Sequence, residues 1–170
     1  QMCIRDRPMT WLKHQTRDSY WQHGSVCENY SAIKAATLAV GGWGDAYKNT
    51  VSNLVENLSA PVKGIVGPWV HKYPHFAVPE PRIGFLQEAL RWWDRWLKNI
   101  DTGVEDDPAY TAYLMDGVRP KTFYEHRDGI WITEADWPNG ISWRSACFQA
   151  NGSLGATLEN LADPIKSPQT

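Results

Sequence analysis

The sequence has no long hydrophobic run and no block of like charges. None of its apolar stretches approaches the ~20 residues that a membrane-spanning helix requires. Its 17 Lys and Arg residues nearly balance its 19 Asp and Glu residues, which gives a formal net charge of −2. We therefore expect no membrane insertion and no nucleic-acid partner. No secretion signal is visible in these residues, and the expected location is the cytoplasm.

Cysteine is scarce, whereas tryptophan is abundant. The wide spacing of Cys3, Cys27 and Cys147 fits neither a zinc site nor a redox pair, so free thiols are expected. The ten tryptophans are far above ordinary usage and indicate aromatic-lined surfaces or pockets. A chain of 170 residues is long enough to bury a sizeable core.

The histidines lack a clear metal-binding pattern. His71 and His75 are four residues apart, as in a helical zinc pair, but Pro74 between them disfavours a helix. No Glu follows them in the pattern of a zinc protease. A metal site using Asp45, His71 and His75 stays open as an alternative, and a chelator would test it. Two further histidines are expected in surface or packing roles: His14 and His23.

The central feature of the sequence is a strand–helix–strand pattern. Residues 37–40 and 62–66 are short apolar runs typical of buried parallel strands. Between them, apolar side chains recur at the period of a helix that packs one face on a sheet. These helical positions are Tyr47, Val51, Leu54, Val55 and Leu58.

Each of these strands is followed by a glycine-containing turn with a polar residue. Residues 41–44 precede Asp45, and residues 67–70 precede His71. Side chains at the carboxyl ends of neighbouring parallel strands point into the crevice where open α/β sheets bind ligands. An imidazole beside a carboxylate is the acid–base arrangement of nucleophilic catalysis. The alternative is structural, with Asp45 capping the following helix and His71 packed among tryptophans.

The second half of the sequence predicts one long helix and then short strands. The helix spans residues 81–100, and its apolar stripe is expected to pack on the sheet, although such a stripe could also stack sugars. The stripe contains Ile83, Leu86, Leu90, Trp93 and Leu97, and it is widened by Trp92 and Trp96. Residues 101–108 are acidic and lack an apolar period, which predicts an interdomain linker. Strands predicted at 110–115, 122–125 and 130–132, separated by turns, favour a β-sandwich.

Several motifs in the same order resemble the CocE/NonD family of α/β-hydrolases, which includes cocaine esterase, α-amino-acid ester hydrolases and X-Pro dipeptidyl-peptidases. The motifs lie between residues 20 and 98, and the resemblance covers roughly residues 8–150. It rests on Tyr20-Trp21, His23-Gly24-Ser25, the Gly-Gly-Trp-Gly-Asp at 41–45, the Gly-Pro-Trp-Val-His at 67–71, and residues 93–98. By this resemblance, Asp45 matches the acid and His71 the base of a catalytic triad, with no metal or organic cofactor.

The resemblance also implies pocket residues and a domain arrangement. Tyr47 matches a position that is often aromatic and lines the acyl pocket, although packing of its own helix is an equal alternative. Trp43 and Trp69 are expected to line the substrate site because they flank the candidate pair. The fold class expected is α/β, the C-terminal part of a hydrolase sheet followed by the start of a jelly roll. The expected segments are a foreign leader at 1–7, a partial hydrolase domain at 8–100, a linker at 101–108 and a partial β-sandwich at 109–170.

The nucleophile of such a triad is not found in the sequence. A nucleophile elbow requires Gly-x-Ser-x-Gly, which occurs nowhere in these residues, and Ser25 and Ser153 are not elbow serines. We therefore expect a fragment of a serine hydrolase that is inactive alone and whose parent cleaves acyl esters, amides or X-Pro peptides. Homo-oligomerisation is left open. The alternatives are a non-catalytic, Trp-rich binding protein of the same fold and the metal-dependent hydrolase.

Overall fold

The computed structural model describes residues 6–140, 142, 145–149 and 152–155. By its internal contacts the chain divides into two units, Gln1–Trp137 and Pro138–Thr170. In the first unit, the regular elements are α1 (Asp6–Lys13), α2 (Ser19–His23), β1 (Thr37–Gly44), α3 (Lys48–Asn57), β2 (Val62–Val70), α4 (Phe85–Lys98), β3 (Tyr110–Met115) and β4 (Gly129–Glu134). In the second unit, β5 (Cys147–Phe148) pairs antiparallel with β6 (Leu154–Gly155).

A four-stranded, mostly parallel sheet organises the first unit. Its strand order is β1-β2-β3-β4, with β1, β2 and β3 parallel and β4 antiparallel to β3. The predicted α/β class is therefore confirmed, and the strands predicted around 37–40, 62–66, 110–115 and 130–132 are all present. Within the residues that the structure describes, no helix combines the length and apolarity needed to cross a bilayer.

Helix α3 packs on one face of this sheet, as its apolar period predicts. Val51 and Val55 are its buried residues. The glycine of β2 beneath them allows this close approach, because a Cβ on Gly64 would lie 2.6 Å from a methyl carbon of Val55. The buried cluster is Ala39, Val51, Val55, Val66, Tyr110 and Ala112.

Helix α4 buries one flank of its predicted apolar stripe and leaves the stripe itself exposed. Its predicted apolar stripe, Leu86, Leu90, Trp93 and Leu97, is exposed, and Ala89 and Trp92 are the buried residues. The expectation that this stripe packs on the sheet is therefore wrong for this chain. The reason is tertiary, because the Arg91 side of the helix is held by the segment that follows it.

That segment, residues 101–108, is packed rather than extended as a linker. Val104 is buried, and the Thr102 hydroxyl donates to the carbonyl of Arg91 at 3.0 Å. The Arg91 guanidinium forms an ion pair with Asp107 at 3.1 Å, and Arg95 pairs with Glu105. The acidic composition that suggested solvation therefore reflects side chains that partner the arginines of α4.

The boundaries drawn from the sequence also differ in detail. Strand β3 joins the same sheet as β1 and β2, and the division between units follows Trp137 rather than residues 101–108. Helix α1 begins at Asp6, inside the expected leader. The strand predicted at 122–125 is wrong, since these residues are irregular and the Tyr124 hydroxyl donates to the Arg119 carbonyl at 2.7 Å. The jelly roll stays a prediction, and residues 156–170, which are expected in it, lie outside the described residues.

Candidate active site

Strands β1 and β2 place Asp45 and His71 at the same edge of the sheet. The two strands run in register from Thr37 opposite Val62 to Gly42 opposite Gly67, and the register then shifts before Gly44. Gly42 permits a very close approach, because a Cβ there would lie 2.7 Å from the carbonyl carbon of Trp69. The glycines of the first turn therefore bring the ends of both strands, and the residues that follow them, together.

Asp45 and His71 are in direct contact. The distance from the His71 Nδ1 to the Asp45 Oδ2 is 2.6 Å, across 26 positions of sequence. The other carboxylate oxygen, Oδ1, accepts the backbone N–H of Tyr47 at 2.9 Å. One oxygen thus holds the turn before α3, whose N-cap residue is Tyr47, and the other meets the imidazole.

The environment keeps the Asp45 carboxyl group ionised. Its pKa is lowered from the ordinary value, first by the hydrogen bond from the Tyr47 backbone and next by the hydrogen bond from His71. A carboxylate accepting from Nδ1 fixes the imidazole orientation and leaves Nε2 free to exchange a proton. The Asp45 side chain is only 13% exposed, whereas that of His71 is 79% exposed. The pair is therefore anchored at the carboxylate and accessible at the imidazole.

A cleft of about 520 Å³ opens beside this pair. Gly41, Gly42, Asp45 and His71 contribute to its lining. It also contains aromatic residues from the loop after β2 and from the start of α4: Tyr73, Phe76 and Phe85. These three rings were not expected in the site from the sequence, although the density of aromatic residues after His71 is a signal for them.

Tyr47 and Trp69 lie near the pair in different ways. Tyr47 is exposed, so it does not pack beneath its helix, and its ring centroid lies 6.1 Å from that of His71. Trp69 lies at the base of the cleft and is almost completely buried. Its indole N–H donates to the Pro81 carbonyl at 2.8 Å. Tyr47 thus borders the imidazole at the surface, whereas Trp69 supports the cleft from below.

Trp43 occupies a different place from the one expected, because it is not among the residues that line the cleft. Side chains alternate along a strand, and the Gly41 position on β1 faces Val51 of α3. Trp43 lies two residues on and so shares that face, packing against the buried cluster. Its indole N–H donates to the Tyr113 carbonyl at 2.7 Å. Trp43 therefore packs on the α3 side of the sheet, whereas Asp45 follows the end of β1 and lines the cleft.

His75 does not join His71 at a common ligand position. Its ring stacks parallel to Phe85 at a centroid distance of 6.1 Å and meets Phe76 edge-on at 4.7 Å. Across the described residues, no group of three or more His, Cys, Asp or Glu side chains is placed to hold a metal ion. The alternative of a metal bound by Asp45, His71 and His75 therefore receives no support from this geometry.

A second His–Asp pair lies in the N-terminal region. The Nδ1 of His14 is 2.5 Å from the carboxylate of Asp18, four residues later, which the sequence pattern did not predict as its partner. Asp18 also accepts from the backbone N–H of Tyr20 at 3.0 Å and caps α2, and the Tyr20 ring stacks on His14. Because the imidazole face is covered and the carboxylate is a helix cap, this pair has a structural explanation.

Comparisons with known proteins agree with this architecture. Residues 4–73 match the family model of X-Pro dipeptidyl-peptidase (S15 family). The fold is similar to that of a CocE/NonD family hydrolase from Staphylococcus aureus, with a TM-score of 0.61 and 15% sequence identity over 89% of this chain. The match covers 26% of that protein, so the present chain spans about a quarter of its length. No curated protein sequence matches the chain.

The family expected from the sequence motifs is therefore confirmed. The matched region contains both turns, with Asp45 and His71 inside residues 4–73. The structural likeness covers 89% of the chain, more than the matched region, and shows the fold. Residues 4–73 thus resemble the X-Pro dipeptidyl-peptidase (S15) family, and the fold of the chain resembles that of a CocE/NonD hydrolase.

Proposed function

We propose that this chain carries the acid and the base of a serine hydrolase, Asp45 and His71, and that residues outside it supply the nucleophile. The observation that carries the proposal is the 2.6 Å contact from His71 Nδ1 to Asp45, with the imidazole open to a cleft. The absence of Gly-x-Ser-x-Gly from the 170 residues supports a nucleophile from elsewhere. The substrate class is an acyl ester, an amide or an X-Pro peptide.

The proposed reaction follows from the position of the two nitrogen atoms of His71. A serine oxygen would bond to the acyl carbon while Nε2 accepts the hydroxyl proton. The bond to the leaving group then breaks, and the imidazolium returns the proton to the departing atom. Water repeats both steps and releases the acid. Asp45 holds the ring in place and stabilises its positive charge throughout, and no metal or organic cofactor enters the scheme.

The test is replacement of His71 in the full-length protein that contains this segment. We expect His71→Ala to lower kcat for ester hydrolysis by about 10⁴- to 10⁶-fold with the fold intact, as seen when a triad member is lost. The matched control is His14→Ala, which removes an imidazole that also contacts an aspartate but lies outside the cleft. The control should keep near-normal turnover.

Other results would decide between the remaining functions. Near-normal turnover in His71→Ala would contradict the proposal. A full-length protein without any acyl hydrolysis, but with retained ligand binding, would favour a Trp-rich binding protein. We expect the 170-residue chain alone to show no ester hydrolysis above background, which the same assay measures.

A further inference from the structure

Three aromatic rings lie beside the candidate pair and have no role in the reaction proposed above. Tyr73, Phe76 and Phe85 line the same cleft as Asp45 and His71. The Tyr73 ring centroid lies 6.0 Å from that of Phe76 and 5.9 Å from that of Phe85, so the rings form one cluster. This cluster is here termed the aromatic wall.

The wall is arranged as a surface rather than as a core. Tyr73 is 62% and Phe76 is 50% exposed. His75 braces the wall by stacking on Phe85 and meeting Phe76 edge-on, and Pro74, between Tyr73 and His75, is buried. Exposed aromatic residues that are held in place on one side of a cleft bind apolar groups with little loss of conformational freedom.

The position of the wall relative to His71 indicates which part of the substrate it meets. His71 must return its proton to the leaving group, so that group lies against the imidazole when the bond breaks. Tyr73 and Phe76 follow His71 by two and five residues on the same loop and face the same cleft. Tyr47, whose ring also lies near His71, does not line the cleft.

We propose that the aromatic wall binds the leaving group of the substrate and selects esters or amides whose leaving group is aromatic or bulky and apolar. This inference rests on the proposed function, because it requires His71 to be the proton donor. It makes Tyr73 and Phe76 determinants of specificity. We expect the binding of the acyl group to depend on other surfaces of the protein.

The experiment compares two pairs of esters in the full-length protein. Methyl and benzyl esters of one acid differ in the size of the leaving group but release alcohols of similar acidity, so their ratio reports binding. Acetyl and benzoyl esters of one alcohol vary only the acyl group. For Tyr73→Ala/Phe76→Ala we expect the benzyl-to-methyl ratio of kcat/KM to fall about tenfold or more, while the benzoyl-to-acetyl ratio stays constant.

Two matched variants control for general effects. Phe123→Ala removes a similarly exposed ring that lies outside the cleft, and both ratios should remain unchanged. Tyr73→Phe keeps the ring and loses only the hydroxyl, so it should retain the wild-type preference. Circular dichroism of each variant verifies folding, which is expected to persist because Tyr73 and Phe76 are exposed.

The outcomes separate this inference from the proposed function. If the double variant is folded and active but its benzyl-to-methyl ratio is unchanged, the assignment of the wall to the leaving group is wrong. A change only in the benzoyl-to-acetyl ratio contradicts the assignment as well. If the wild-type protein hydrolyses no ester and His71→Ala matches it, the proposed function fails and the leaving-group assignment with it. Benzyl alcohol binding to the 170-residue chain, followed by saturation-transfer NMR and lost in the double variant, would then identify the wall as an aromatic site of another kind.

Discussion

Asp45 uses its two carboxylate oxygens for two different tasks. Oδ1 accepts the Tyr47 backbone N–H where α3 begins, and Oδ2 meets His71. The residue therefore couples local folding to the orientation of the imidazole. Because both hydrogen bonds favour the ionised form, the native pKa lies below the ordinary value of 3.8.

This lowered pKa predicts a specific dependence of stability on pH. A carboxyl group whose pKa is depressed by folding adds stability above its unfolded value, and that contribution is lost as pH falls through the native pKa. We expect Asp45→Asn to reduce the loss of unfolding free energy between about pH 5 and about pH 2, measured by urea denaturation. Parallel pH curves for the variant and the wild type would contradict the coupling.

Gly42 predicts a steric effect at the same edge of the sheet. An alanine Cβ there would overlap the backbone of Trp69, which cannot move without disturbing the end of β2. We expect Gly42→Ala to lower the free energy of unfolding by about 1–3 kcal/mol. Gly24→Ala is the matched control, since its Cβ would meet nothing within 4 Å, and it should be neutral or slightly stabilising. Equal effects of the two substitutions in chemical denaturation would refute this explanation.

At the scale of the element, the residues that α4 buries are not those that its hydrophobic pattern predicts. Its apolar stripe is the most regular in the sequence, yet the structure buries Ala89 and Trp92 instead. The helix ends at Lys98 and is capped by Asn99, whose φ of 57° is left-handed. The chain then folds back along Arg91 and Arg95. The return segment therefore determines which face of α4 is covered.

The orientation of α4 predicts unequal effects of two substitutions. Leu90 is exposed, so Leu90→Gln should change the free energy of unfolding of this chain by less than about 0.5 kcal/mol. Trp92 is buried, so Trp92→Ala should cost about 3–5 kcal/mol. Urea denaturation at low protein concentration measures both. A larger effect of Leu90→Gln than of Trp92→Ala would show that the stripe packs as the sequence pattern suggested.

The hydrophobic periodicity of each segment and the turn residues beside it predict β1, α3, β2 and β3, because these patterns lie within each element's own sequence. The pairing of Asp45 with His71 follows from strand polarity, which brings two turns 26 residues apart to one edge. The face of α4, the packing of residues 101–108 and the position of Trp43 depend on contacts distant in sequence. The ion pair of Arg91 with Asp107, for example, has no local signature.

At the scale of the whole molecule, apolar surface and an open strand edge are exposed together. Strand β1 lies at one edge of the described sheet, and the stripe of α4 faces solvent. Unpaired parallel edges and contiguous apolar surfaces favour association. The chain is thus expected to bury these features against other protein.

We therefore predict that the isolated chain self-associates. Sedimentation velocity at about 10–100 µM should show species larger than the monomer of 19.3 kDa. Replacing two leucines of the stripe, Leu90→Gln and Leu97→Gln, should shift the distribution toward monomer, whereas Phe123→Ala outside it should not. A monodisperse wild-type monomer with a cooperative melting transition would contradict the prediction.

The packed return segment after α4 also governs how the protein can be divided. Tyr110 at the start of β3 is buried, and its ring stacks on Trp137 at a centroid distance of 4.5 Å. A truncation at residue 100 would remove two partners of Arg91, Thr102 and Asp107, and would leave one side of β2 unpaired. Limited proteolysis is accordingly expected to spare residues 101–108, and shortened versions intended for crystallisation should retain the chain through Trp137.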